Sequence, residues 1–351
     1  MKSITIKIVL AILGIFPFMD HSFAQSSSNL FLGDYEGVFI DRPGYLKSHP
    51  ECVAQVYPEM NKYMIQFLPQ LYVRAEHYAN TTGFLSGQKV IISDSLVQAE
   101  ISDNNLKGKL LYKGNWVQFE LKKVEKLSPT LGEKPTREAI VLFNGANFDK
   151  WIGDADLPVK WKIVNEDEME VVPTLPHTVP KTSLFTRQEF TDVFLHLEFK
   201  LPLMPDRKGQ DRVNSGIDFD NMFEIQVLDS YGLQGNWNEC GALYGISPPK
   251  VNMSLAPYLW QTYDIIYHSP KYNAEGKRTK NGEVTVYHNG KCIHYQFPLK
   301  RGPENLEKGR SSFPIRISLQ DHWSVLWYRN IWAIDLSKNP RVPGYINGLE
   351  R

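Results

Sequence analysis

Between Val193 and Leu201 the chain reads Val-Phe-Leu-His-Leu-Glu-Phe-Lys-Leu, so every odd position is apolar while the even ones are Phe194, His196, Glu198 and Lys200. A period of two belongs to a strand, and it means that one face packs on a second sheet while the other carries polar groups. The segment Glu283–Tyr295 repeats the theme as a hairpin with a two-residue Asn289-Gly290 turn. Further strands are expected at 216–219, 223–228, 262–267, 315–319 and 328–334. Many strands, long connections and no strong helical period predict an all-β, jelly-roll β-sandwich over residues 139–337, followed by a tail at 338–351.

The preceding stretch, 28–126, alternates short apolar runs with turns, as in Tyr63–Phe67, Lys89–Ile92 and Val117–Leu121. It predicts a small antiparallel β domain, in which only Val73–Tyr78 could be mistaken for helix. A Pro- and Gly-bearing linker at 127–138 separates the two domains. Residues 1–24 have the layout of a secretory signal peptide: Lys2 and Lys7, an apolar run from Ile8 to Phe16, and small residues before Ala24. The run is too short to span a bilayer. A periplasmic or secreted protein is therefore expected, without a membrane span.

Charge narrows the partners. Thirty-nine Lys and Arg balance thirty-nine Asp and Glu, so nucleic acid and anionic lipid, which demand a basic face, are not expected. Eight Trp and seventeen Tyr instead offer flat rings on which sugars stack. Cys52, Cys240 and Cys292 sit at no zinc-ribbon spacing and read first as buried thiols, with a Cys240–Cys292 disulfide as the alternative.

Candidate chemistry gathers in two places. In Phe223-Glu-Ile-Gln-Val-Leu-Asp229, Glu224 and Gln226 share a strand face, and Asp229 joins them if a bulge adds one residue. The segment resembles a degraded Glu-x-Asp-x-x-Glu strand of laminarinase-type β-glucanases, with the middle acid replaced by Gln226 and the last shortened to Asp229. In Leu319-Gln-Asp-His322, Asp321 could orient His322 as an acid or base, and Arg329 could stabilise an oxyanion. The loop 236–245 adds Trp237 and Tyr244 for stacking and Glu239 for a hydroxyl. With Asn289-Gly290 at the tip, 288 pairs with 291 and 285 with 294, which puts His288 and His294 on opposite faces, unable to share an ion. His196 and Glu198 share a face but show no third ligand.

Taken together and in order, Leu142–Trp151, Asn214–Ile217, Glu224–Gly232, Gly241–Gly245, Trp260–Ile266, Val286–Gly290, Leu319–His322 and Tyr328–Trp332 resemble the 3-keto-disaccharide hydrolase family. The resemblance spans about 139–337. It implies a concanavalin-like jelly roll and an enzyme with 3-keto-glucoside 1,2-lyase or 3-keto-2-hydroxy-glucal hydratase activity, with net hydrolysis of a 3-keto-disaccharide. One departure follows His322, where Trp323-Ser-Val-Leu-Trp327 replaces the small residues of the family and is expected to reshape the cleft rim. A ketone at C3 acidifies the C2 proton, so a base removes it as the C1 oxygen leaves. On this scheme Glu224 or Asp229 is the base, His322 held by Asp321 the acid/base partner and Arg329 the enolate cation. Asn214, Gln226 and Tyr244 orient hydroxyls, and Glu198, Glu239, Trp237 and Gln320 complete the sugar-binding set. No cofactor is evident, although a divalent cation could replace Arg329, and oligomeric state stays open. The competing readings are a non-catalytic carbohydrate-binding protein and an ordinary retaining β-glucanase-type glycoside hydrolase.

Overall fold

The computed structural model describes residues 30–175, 178–220 and 222–349, so the expected signal segment lies outside the described residues. The first domain is a closed antiparallel barrel. Its eight strands, Gly33–Phe39, Glu51–Glu59, Lys62–Leu68, Ala79–Ser86, Lys89–Ser93, Val97–Ser102, Asn105–Tyr112 and Asn115–Val124, pair in sequence, and the first also pairs the last. Closure removes the sheet edges. Tyr35, Phe67, Val90, Leu106 and Phe119 fill the interior, so the barrel is a packed core.

The second domain is a sandwich of two antiparallel sheets. Its five-stranded sheet runs Trp151–Gly153, Leu184–Thr186, Ile317–Leu319, Asn214–Phe219 and Glu224–Leu228. The eight-stranded sheet runs Lys162–Val164, Glu168–Glu170, Trp327–Asp335, Asp192–Lys200, Trp260–His268, Gly282–His288 and Lys291–Leu299, with Ile140–Phe143 also paired to Trp327–Asp335. Leu195, Leu197 and Phe199 face Ile217, Ile225 and Leu319 in one continuous core. The odd positions of 193–201 thus pack between the sheets as the alternation predicts. Among the described residues no helix is long and apolar enough to cross a membrane.

The even face of Asp192–Lys200 differs from expectation, because it is covered. Phe194, His196 and Glu198 are buried. The 127–138 segment lies across them as a strap: Thr130 Oγ1 donates to Asp264 Oδ2 at 2.8 Å, and Gly132 N–H to Glu198 Oε1 at 2.7 Å. From the tail, Tyr345 donates to Asp264 Oδ1 at 2.6 Å. The barrel docks on the sandwich through Asp34, whose carboxylate accepts from Tyr231 at 2.6 Å and Tyr72 at 2.8 Å.

The Asn289-Gly290 turn forms, both residues having positive φ, and His288 pairs with Lys291 as predicted. The register then shifts, and His294 pairs with Val286 rather than residue 285. The resulting bulge brings His294 to the side of His288, correcting the opposite-face expectation. His294 Nε2 lies 2.8 Å from Gly241 O, and His288 Nδ1 lies 3.7 Å from where a Cβ on Gly241 would sit. Burial pushes both imidazoles well below their ordinary pKa, to about 3 for His288 and about 4 for His294, so both are neutral. All three cysteines are buried thiols, and Cys240 and Cys292 are not joined in a disulfide.

Candidate active site

The outer face of the five-stranded sheet carries a row of polar side chains. Asp218 pairs Ser318 on one side and Glu224 on the other, and Ile225 bridges Leu243 beyond. Because Ile225 and Leu243 point into the core, Glu224 and Tyr244, one step along, stand opposite each other on the outer face. A row Ser318, Asp218, Glu224, Tyr244 crosses the sheet. Gly216 and Gln226 form the next row, with Gln320 beside them through its N–H bond to Gly216 O at 2.9 Å.

Glu224 leans over Gly216. A Cβ on Gly216 would meet Glu224 Oε1 at 2.1 Å, so only glycine gives this carboxyl its floor. Burial, then the charge of Asp218, pushes the Glu224 pKa up to about 7, while Lys181 opposes the shift. In the orientation that satisfies its amide, Gln226 donates to Glu224 Oε1 at 3.1 Å and to Ser215 O at 2.8 Å. Asn214 Nδ2 donates to Gln210 O at 3.0 Å, and Gln210 Nε2 donates to Asn238 O at 2.6 Å.

Two loops bring the other charged groups. Lys181 precedes Leu184–Thr186, and His322 follows Ile317–Leu319, which is that strand's neighbour. Lys181 Nζ lies 5.2 Å from the centre of the Trp323 ring, and the His322 and Trp323 ring centres are 4.4 Å apart. Burial, then Lys181, lowers the His322 pKa against the charges of Asp321 and Asp211, leaving a neutral imidazole at neutral pH. Trp323 adopts φ 64°, in the left-handed region, so a bulky ring occupies a backbone position that favours glycine.

Several expected members take other places. Asp321 does not bond His322: its Oδ2 accepts from Thr174 and Thr182, and its Oδ1 from Trp323 N–H at 3.0 Å. Against the cost of burial, these bonds hold its carboxyl below the usual range, and they fix the loop that carries His322. Asp229 does not join Glu224, because the register runs unshifted through Leu228 and supplies no bulge. Its Oδ2 is held by Arg212 at 2.6 and 3.1 Å, and it is fully buried. Burial pushes its pKa up and Arg212 offsets that push.

Arg329 and Glu198 lie on the eight-stranded sheet, across the sandwich from Glu224. They are direct cross-strand partners, with Arg329 Nε 2.6 Å from Glu198 Oε2 and the guanidinium 4.1 Å from the Trp260 ring centre. Trp327 is there too, donating to Glu170 and stacking with Lys200, so it does not shape the rim beside Trp323. Glu239 closes its own loop, accepting from Gly235 N–H at 2.6 Å and Asn236 N–H at 2.9 Å. Trp237 and Tyr244 are exposed, with ring centres 5.8 Å apart.

Lys181 and Asp218 are the members that sequence reading missed. Asp218 was accessible by alternation, two residues from Gly216 on the same face; Lys181 sits in an aperiodic loop that gives no such signal. Among the described residues no group of three His, Cys, Asp or Glu side chains is placed to hold a metal ion. A cleft of about 750 Å³ elsewhere, between barrel and sandwich, is lined by Glu36, Tyr72, Lys126 and Met253. There Glu36 and Lys126 neutralise each other at 2.8 Å, so the poised acid–base groups belong to the sandwich face instead.

Such a polar face, flanked by exposed aromatic rings, suits a sugar, and the family to which the sandwich belongs makes it a carbohydrate-active enzyme. Residues 138–334 match the family model of the 3-keto-alpha-glucoside-1,2-lyase-like domain, and the chain belongs to that family. A crystal structure from Parabacteroides distasonis, provisionally described as a glycosyl hydrolase, is 29% identical, covering 57% of this chain and 84% of that one at TM-score 0.47. A second structure from that organism, with the same description, is 17% identical, covering 57% and 94% at TM-score 0.40. Alginate lyase vAL-1 from Chlorella virus is 12% identical, covering 50% and 89% at TM-score 0.33. No curated protein matches the chain.

Proposed function

We propose that the enzyme cleaves 3-keto-glucosides by elimination and hydrates the resulting 3-keto-2-hydroxy-glucal, with Glu224 as the proton-transfer group. The observation that carries this reading is a carboxyl with a pKa of about 7 on the polar face, with Asp218 as its cross-strand partner and Lys181 in its electrostatic reach. A general base works best when its pKa is near the working pH.

In the elimination, Glu224 takes the C2 proton, the C1–O bond breaks, C1=C2 forms, and the proton returns from Glu224 to the leaving oxygen. Negative charge grows on the C3 oxygen as the proton leaves. Lys181 is the cation assigned to it, because Arg329 is spent on Glu198 and Arg212 on Asp229. For hydration, Glu224 first regains a proton from solvent; neutral His322 then accepts a proton from water as oxygen adds to C1, Glu224 gives its proton to C2, and His322 releases its own to solvent. Gln226, Asn214 and Gln320 flank the reacting ring and hold its hydroxyls. The signal-like segment at 1–24 supports action outside the cytoplasm.

The Asp218–Glu224 pair favours one second reading, retaining hydrolysis of an unoxidised glycoside, which needs two carboxyls about 5–5.5 Å apart. Incubating the protein with a 3-keto-glucoside and its parent separates the two: elimination consumes only the keto compound, whereas retaining hydrolysis consumes the parent. A chelator in the same assay tests whether a divalent cation rather than Lys181 meets the C3 oxygen.

A further inference from the structure

The charged groups around Glu224 are distributed unevenly. Lys181 and His322 approach from the side of Ile317–Leu319 and Leu184–Thr186, two and three strands from the sheet edge. On the opposite side the neighbour of Glu224 is Tyr244, followed by Trp237. These two rings are tilted by 59° and form an open corner, with Trp237 53% and Tyr244 38% exposed.

The corner is held rigidly. Tyr244 N–H donates to Glu224 O at 2.9 Å, which ties the ring's backbone to that of the reacting carboxyl. Glu239 takes three hydrogen bonds from Gly235 and Asn236, and Gln210 reaches Asn238 O at 2.6 Å, so the residues flanking Trp237 are fixed from both sides. Rings held open in this way lose little freedom when a flat ligand settles on them. No charged side chain is needed within the corner for its own folding, since Glu239 is turned back into the loop.

We infer that Trp237 and Tyr244 form the leaving-group subsite, which takes a flat-faced aglycone, an aryl ring or a second sugar, while the keto ring lies on the Lys181 side of Glu224. This rests on the elimination reading and adds the direction in which the substrate lies. Charge develops on the C3 oxygen of the keto ring and must meet the cation, so the bond from C1 points the departing group the other way, toward the uncharged rings. An apolar ring face buried on an aromatic corner gains stacking there and loses it on departure.

The test compares 3-keto-glucosides of one anomer carrying a methyl or a phenyl leaving group. In Trp237→Ala with Tyr244→Ala, kcat/KM for the phenyl compound is expected to fall at least tenfold, chiefly through KM, and that for the methyl compound to stay within threefold of wild type. Equal losses on both compounds, or none, overturn the subsite. Binding of unoxidised phenyl glucoside, followed by ligand-observed NMR, reads the same corner without turnover. At least tenfold weaker binding in Trp237→Ala supports it even if neither keto compound is consumed, an outcome that sinks only the elimination reading. Unchanged phenyl glucoside binding overturns the subsite.

Discussion

Glu224 occupies the space that Gly216 leaves open, its Oε1 lying 2.1 Å from where a Cβ on residue 216 would stand. Gly216→Ala is therefore expected to push the carboxyl off its floor. Because Gly216 faces outward, the core of Ile217 and Phe219 is left in place. A loss of about a hundredfold in kcat with folding retained is expected, since small misplacement of a reacting group costs that much. Steady-state kinetics alongside thermal unfolding checks it; wild-type turnover would show that the position of Glu224 is immaterial.

The raised pKa of Glu224 has a stability consequence with a definite sign. The folded carboxyl holds its proton up to about pH 7, while the unfolded one releases it near the ordinary glutamate value of 4.5. The favourable contribution of the protonated form is present at low pH and is lost as pH rises through that window. Glu224→Gln is thus expected to be more stable than wild type at pH 8, by about 2 kcal/mol, and nearly equal to it at pH 4. Denaturant midpoints at the two pH values test this, and a pH-independent difference would contradict the burial of Glu224.

Arg329 and Glu198 are expected to matter for stability rather than chemistry. Glu198 is buried, and bonds from His196, Asn330, Arg329 and Gly132 N–H outweigh its burial and hold its pKa down to about 2. Removing its charge strands Arg329 and the strap. Glu198→Ala is expected to cost about 3 kcal/mol, with kcat per folded molecule unchanged. A selective fall in kcat without loss of stability would return Arg329 and Glu198 to the chemistry.

Beneath the same strap, Asp264 and Glu198 outweigh burial and raise the His196 pKa to about 9. The stabilisation is complete below the unfolded value near 6.5 and disappears as pH rises through 9. Wild type is expected to lose about 2 kcal/mol over that interval, and His196→Gln to show a flatter profile. Urea titrations at pH 6.5 and 9.5 provide the comparison; parallel profiles would place the neutral imidazole in the native state throughout.

The sandwich was legible because its strands carry their pattern locally. Alternation in 193–201 placed Leu195, Leu197 and Phe199 in the core, and Asn289-Gly290 announced its turn. What the pattern lacks is the identity of whatever covers a face. His196 and Glu198 look solvated until Thr130, Gly132 and Tyr345 arrive from segments that read as linker and tail. The candidate site was legible in the same partial way. Glu224 and Gln226 followed from spacing of two, but the polar outer faces of both sheets resemble each other in sequence, so Arg329 was drawn to the wrong one. Asp229 required a bulge that the ladder does not contain, whereas the bulge that moved His294 gave no sign in the residue pattern.

In the proposed elimination Glu224 takes a proton from C2 of an oxidised sugar. The most direct measurement follows a purified 3-keto-glucoside and its parent glucoside by NMR with wild-type enzyme and with Glu224→Gln. Wild type is expected to consume only the keto compound and to exchange its C2 proton with solvent. Activity is expected to rise through about pH 7 as Glu224 ionises, and the variant to lose about a thousandfold. Consumption of the parent glucoside, or undiminished turnover in Glu224→Gln, would contradict it.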